Sequence, residues 1–176
     1  GIGVRRDDQQ GQDGLAGRVA LIALGATIRL RLGVPEREAS LEQFFIAYGR
    51  QDRAPGEVLT QIHIPKPPQD AFVAFEKMSK RFEQDISAVS AGLFVRVADG
   101  VVSEARLAFG GMAGTPMRAR GAEAALVGQA WGETSVRAAM TALATDFAPL
   151  SDWRASATYR MEAAQGLLTY AFASEL

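Results

Sequence analysis

Residues 86–112 read "ISAVSAGLFVRVADGVVSEARLAFGGM" and decide the fold class. Two apolar-rich segments of strand length flank Asp99-Gly100, the composition of a tight hairpin turn with both central residues at positive φ. An antiparallel pair is therefore expected at the centre of the chain. Just upstream, "AFVAFEKMS" (71–79) supplies a third extended segment. Downstream, "RARGAEAALVGQ" (118–129), "GETSVRAAMTALATDF" (132–147) and "ASATYRMEAAQGLLTYAF" (155–172) read as helices. Val136, Met140 and Leu143 line one side of the second; Tyr159, Ala163, Leu167 and Tyr170 form the expected apolar stripe of the third. Strands followed by helices predict an α+β domain, an antiparallel sheet of about three to four strands with helices packed on one face.

Towards the N-terminus, "ATIRLRLGV" (26–34) alternates Ile28, Leu30 and Leu32 with Thr27, Arg29 and Arg31, the pattern of a half-buried strand. "SLEQFFIAYG" (40–49) predicts a short helix with Ser40 as N-cap and Gly49 as its stop. In "PGEVLTQIHIP" (55–65), Val58, Thr60, Ile62 and Ile64 fall on one face of a predicted strand, with Leu59, Gln61 and His63 on the other. "PKPPQD" places a hinge near Pro65–Asp70, because proline fixes its own backbone and restricts the residue before it. Residues 1–19 show no periodicity and are expected to be an irregular lead-in. The "GIG" inside them is no dinucleotide fingerprint, since no strand precedes it. A first residue of Gly rather than Met fits a fragment.

Composition narrows the chemistry. Nineteen basic against twenty acidic side chains give no net field for nucleic acid or an anionic membrane. No cysteine is present, which excludes disulfides, iron-sulfur ligation and thiolate catalysis within this chain. A single histidine, His63, leaves histidine-rich metal sites and Ser-His-Asp triads without their parts, and its strand position reads as surface. No metal site and no catalytic side chain is expected. Apolar runs such as "VALIALGATI" are too short for a bilayer span, and the chain reads as cytoplasmic.

Six stretches together, "ALIALGATIRLRLG", "FFIAYGRQDRAPGEVLTQIHIP", "KMSKRFEQDISAVSAG", "AFGGMAGTPMRA", "EAALVGQAW" and "DWRASATYRMEAAQGLL", resemble the FAD-binding subunit of bacterial xanthine dehydrogenase. That subunit belongs to the molybdenum hydroxylase family, with the carbon monoxide dehydrogenase flavoproteins. The resemblance runs over about 20–172 and implies two parts: a C-terminal remnant of an FAD-binding domain over 20–65, and a CO dehydrogenase flavoprotein C-terminal-like domain over 70–176. It implies FAD in the complete subunit, a molybdopterin-binding large subunit and NAD as partners, and electron relay from molybdenum and iron-sulfur centres to NAD during purine oxidation. It also implies that Lys77, Lys80, Arg81 and Asp85 border the flavin and that Val58 and Leu59 pack against it. Each has a plainer reading. The stretch 77–85 also reads as a solvated loop with local pairs such as Lys80 with Glu83, Asp85 as the anchor of a turn, and Val58 and Leu59 as sheet core.

One departure bears on the cofactor. Where the family carries a Gly/Asn/Ser-rich loop before "ALIALGA", this chain has "VRRDDQQGQDGLAGR", which lacks that pattern of phosphate-holding backbone amides. The isolated chain is therefore expected to bind no FAD of its own, to be inactive, and to self-associate, most simply as a dimer, through apolar surface the flavin half would cover. In "FGGMAGTP", Gly110, Gly111 and Gly114 are read as a tight turn rather than an anion cradle. Arg154 is expected in a structural ion pair near a cap made by Asp152 or Ser151, and Trp131 and Trp153 in packing.

Overall fold

The computed structural model describes residues 13–79 and 87–174, with side chains from residue 16 onward. The central hairpin forms as expected. Strands β7 (Val89–Ala98) and β8 (Val101–Gly110) are joined at Asp99 (φ 52°) and Gly100 (φ 76°), two successive left-handed residues that match the twist of the strands they join. β6 (Ala71–Met78) adds to the other side of β7 and β9 (Met117–Arg118) to β8, giving an antiparallel sheet of order β6-β7-β8-β9.

Alternation along these strands sorts the two faces. Val89, Ala91, Leu93 and Val95 of β7, with Ala105, Leu107 and Phe109 of β8, enter one core with α3 (Arg120–Leu126), α4 (Glu133–Asp146) and α5 (Ala157–Ala173). Edge-to-face contacts close it at two ends, Phe109 with Phe147 at 5.7 Å and Trp131 with Phe172 at 5.3 Å. Ala108 belongs instead to a second core on the opposite face, with Val19, Ile22 and Ala23 of a helix α1 (Asp13–Ala23) and Ile28 and Leu30 of β1 (Thr27–Arg31). The three C-terminal helices thus share one face, and α1 covers the other. That double coverage explains why seven successive residues of β7 are buried.

Helix α1 corrects the expectation of an irregular lead-in through residue 19. Its sequence carries Gly14 and Gly17, and helix stability here comes from packing onto the sheet, which propensity does not register. β1 pairs with β2 (Glu36–Ser40) and β5 (Val58–His63) in a separate sheet of order β2-β1-β5. As the alternation predicted, Ile28 and Leu30 are fully buried; Leu32, past the strand end, is half exposed. The predicted helix at 40–49 shrinks to α2 (Leu41–Phe44), with no side-chain cap from Ser40. The chain then turns into the short ribbon β3 (Phe45–Ala47) and β4 (Arg50–Gln51), because the β-branched and aromatic "FFI" run suits extended backbone.

The face expected for β5 is also corrected. The ladder slips between Arg29 and Leu30, so Ile62 lies opposite Ile28 and Leu59, not Val58, opposite Leu30. Thr60 is the bulged residue, its hydroxyl donating to the Arg29 carbonyl at 3.3 Å. The whole strand is exposed. Two residues expected on the α5 stripe, Tyr159 and Tyr170, face outward, and the buried face consists of Arg160, Ala163, Ala164, Leu167, Leu168 and Ala171. Among the described residues no helix is long and apolar enough to cross a membrane.

Candidate functional site

The α1 face of the four-stranded sheet brings the first candidate residue into a defined setting. Lys77 lies opposite Ser90 on β7, and Ser90 lies opposite Gly110 on β8. Two residues along β7, Gly92 shows which face this is: a Cβ built there would stand 2.7 Å from the Val19 carbonyl oxygen and 3.1 Å from the Ala23 Cβ of α1. Helix backbone therefore rests on strand backbone, and glycine is what allows it. The C-terminal end of α1 is held by Arg106, whose Nε donates to the Ala23 carbonyl at 2.8 Å while its guanidinium stacks 4.0 Å from the Phe94 ring centroid. These contacts fix α1 over a strip of the sheet on which Lys77 is exposed and Ser90 is 1% exposed, with no hydrogen-bond partner for its Oγ among the described residues. A buried hydroxyl left unpaired is costly enough to mark the position.

The far end of the strip is pinned from below by a buried arginine. Arg160 of α5, 4% exposed, donates through one terminal nitrogen to the carbonyls of Ala88 and Gly111 and through the other to Asp152 Oδ1 at 2.8 Å. Asp152 also accepts from the amides of Arg154 (2.9 Å) and Ala155 (3.0 Å). Burial pushes the Asp152 carboxyl upward; the two amides and the guanidinium outweigh it and hold the group below its ordinary 3.8. Gly111 (φ +82°) has no room for a Cβ between the Ala88 carbonyl and Arg160, so the turn-and-packing reading of "FGGMAGTP" is what the structure shows. Together with the Ala88 amide donating to the Met78 carbonyl at 2.8 Å, this hub sets where the β6–β7 connection leaves and rejoins the sheet.

A second ionic network joins the N-terminal part to this domain. Arg118 pairs with buried Glu123 at 2.7 Å and with Glu42 of α2 at 3.5 Å, and Arg120 also reaches Glu42 at 2.8 Å. Burial works against the charge on Arg118, and its hydrogen bond to Glu123 with the nearby carboxylates more than offsets that, raising its pKa. In the N-terminal part, hydrogen bonds from Arg37, then from the Ala54 amide, hold the Glu57 carboxyl below its ordinary 4.5.

The sequence candidates thus scatter. Lys77 is on the α1 face of β6; Val58 and Leu59 lie on β5 in the other sheet, at 51% and 41% exposure, which removes the sheet-core reading for them. Lys80, Arg81 and Asp85 lie outside the described residues. The ion pair expected of Arg154 is made by Arg160, while Arg154 stacks over Trp153 at 4.7 Å. The cap is shared: Ser156 accepts from the Tyr159 amide and Ser151 from that of Ala157. Trp131 packs as expected, and Trp153 is 77% exposed. Sequence reasoning missed Ser90 and Arg160. For Arg160 a signal existed, a charge in helical phase with Ala163, Ala164 and Leu167.

Comparison with known proteins gives this arrangement relatives. The CO dehydrogenase flavoprotein C-terminal domain family matches residues 74–175, and the FAD binding domain in molybdopterin dehydrogenase matches 18–67. The nicotinate hydroxylase of Emericella nidulans is 37% identical over 147 residues, covering 80% of this chain and 11% of that protein. The putative xanthine dehydrogenase FAD-binding subunit of Escherichia coli K12 is 32% identical, covering 73% of this chain and 44% of that one. The crystal structure of the Cu,Mo-CO dehydrogenase, cyanide-inactivated form, superimposes with a TM-score of 0.83 at 27% identity, over 92% of this chain and 56% of that chain. The chain spans about half or less of the length of each of these proteins. With the first of these two family matches covering more than half of its length and the sheet and helices described above underlying it, the chain belongs to the CO dehydrogenase flavoprotein C-terminal domain family.

Proposed function

We propose that the chain is the C-terminal portion of a molybdenum hydroxylase flavoprotein, divided into a remnant of the FAD-binding domain over 20–65 and a C-terminal domain over 70–176. In the complete subunit it helps hold FAD and relay electrons from molybdenum and iron-sulfur centres to NAD in purine oxidation, beside a molybdopterin-binding large subunit in the cytoplasm. The observation that carries the reading is the exposed Lys77 opposite the buried hydroxyl of Ser90, which has no partner among the described residues, on the face over which α1 is fixed. These residues fit one wall of a flavin site. Lys77, with Lys80, Arg81 and Asp85 following it, would border the polar edge of the flavin, and Val58 and Leu59 would meet its ring. FAD, when bound, would supply the two-electron chemistry, and Lys77 would place a positive charge at the edge of its ring. Every other contribution of this chain is positional.

The exposed β5 favours a second reading for the chain on its own, that of a non-catalytic, self-associating scaffold. Val58, Leu59, Ile62 and Ile64 are all more than two-fifths exposed, a concentration of apolar surface that invites a second copy. Size-exclusion chromatography with absorbance and light-scattering detection, run with added FAD, tests both readings. The expected outcome is a colourless dimer. Stoichiometric flavin co-eluting with the protein would overturn the scaffold reading, and a monomer at working concentration would overturn self-association.

A further inference from the structure

The edge of the four-stranded sheet opposite β9 carries a groove on its α5 side, away from the face on which Lys77 is read against the flavin. It has a volume of about 460 Å³, within the range of ligand pockets, and lies between β6 and α5. Glu76, Lys77 and Met78 line it from the strand, and Glu162, Gly166, Leu167 and Tyr170 from the helix. Glu162, Gly166 and Tyr170 recur at i, i+4 and i+8, so they form one exposed row along α5, bordering buried Ala163 and Leu167. Gly166 is the gap in that row: no atom lies within 4 Å of where its Cβ would stand. The residue that opens the groove is therefore not one the fold needs for packing.

Three features describe the occupant. β6 is the terminal strand of its sheet, paired without a register break to β7 over all eight residues, and among the described residues nothing pairs with its outer edge. It has no proline and no bulge to blunt that edge, and its charges are confined to Glu76 and Lys77 near one end. Beside this edge, Glu76 and Glu162 make no ion pair or hydrogen bond among the described residues, while Lys77 points from the opposite face of the strand. The floor between the two carboxylates is apolar, made by Leu167 and Met78, with the Tyr170 ring at one end. A free strand edge supplies main-chain hydrogen bonds to an extended polypeptide, and alternate side chains of the added strand drop into whatever lies beside it.

We propose that this groove binds an extended segment of another protein, added as a strand to β6, with a Lys or Arg seated between Glu76 and Glu162 and apolar residues two positions to either side of it. The carboxylates recognise the cation, Leu167 and Met78 its apolar neighbours, and Tyr170 offers a ring face to a guanidinium.

The test is fluorescence anisotropy with a panel of labelled, end-blocked seven-residue peptides. Each carries one central Arg or Lys with Val two positions to either side and Thr between; a matched set carries Glu at the centre, and another is N-methylated on alternate amides. The Arg peptides are expected to bind the full chain at least tenfold more tightly than the Glu peptides, with N-methylation abolishing binding. Glu76→Gln with Glu162→Gln is expected to weaken the Arg peptides about tenfold. Gly166→Leu, at a position with open space, fills the groove and is expected to remove binding while far-ultraviolet circular dichroism stays unchanged. Absence of binding across the panel, equal binding of Arg and Glu peptides, or undiminished binding to Gly166→Leu would each overturn the proposal. A small organic cation, guanidinium ion, competing as well as the peptides would overturn the strand-addition part.

Discussion

Arg160 shows how one residue can hold three segments of chain. Its guanidinium joins the start of β7, the turn after β8 and the approach to α5, donating to the carbonyls of Ala88 and Gly111 and to the Asp152 carboxylate. Replacing it by Leu removes the cation and leaves those acceptors unpaired, so Arg160→Leu is expected to cost about 3 kcal/mol in urea unfolding at neutral pH. Its partner makes the same hub sensitive to acid. Asp152 has a folded-state pKa below its ordinary 3.8, so the unfolded chain takes up its proton first as pH falls. Its contribution is complete above that value and disappears as pH drops through the lower, folded one. Stability should therefore fall below about pH 4, and the acid limb of a stability-against-pH curve should be shallower in Arg160→Leu. An unchanged acid limb would mean that other carboxylates, Glu57 with its depressed pKa among them, govern the loss.

Among the elements, the relation of α1 to the sheet is the least tolerant. Gly92 lies beneath the helix with the Val19 carbonyl where a methyl group would have to be. Gly92→Ala ordinarily stabilises a strand, since glycine has the larger entropy to lose. Here it must lift α1, and we expect a loss of about 1–3 kcal/mol by thermal or chemical unfolding. A gain would show that α1 yields at no cost. The elements also show what a sequence carries and what it does not. The β7–β8 hairpin is legible because its turn chemistry is local: Asp99-Gly100 adopts positive φ wherever it sits. Ile28 and Leu30 are legible because alternation records a buried face directly. α1 is not, since its residues pack onto strands some seventy residues away, and that contact leaves no mark within its own window. The bulge at Thr60 is equally silent: nothing in "VLTQIH" announces a slip whose effect is to exchange Val58 for Leu59 on the inner face.

On the scale of the whole molecule, the antiparallel sheet with helices against it follows from the order of segments. The second covered face arises because a helix from the N-terminal part completes it. The candidate site was legible only where it sits on a regular strand. Lys77 falls at a definite register position opposite Ser90, whereas Ser90 gained its meaning from burial, a property of the assembled fold. Val58 and Leu59 read as apolar strand residues in any context, and only the three-dimensional arrangement shows that they are uncovered.

The joint between the two parts has one more consequence. Segments on either side of the Pro65–Asp70 connection meet through a shared core, the Arg106 contact to α1, and the Glu42 pairs with Arg118 and Arg120. The covalent link is then not what keeps them together. Cutting the chain at an engineered protease site in that connection should leave two polypeptides that co-migrate under native conditions and separate only in denaturant. Expressed apart, they should reassemble on mixing, which would make this fold a split protein whose halves recognise each other through a helix seated on a glycine.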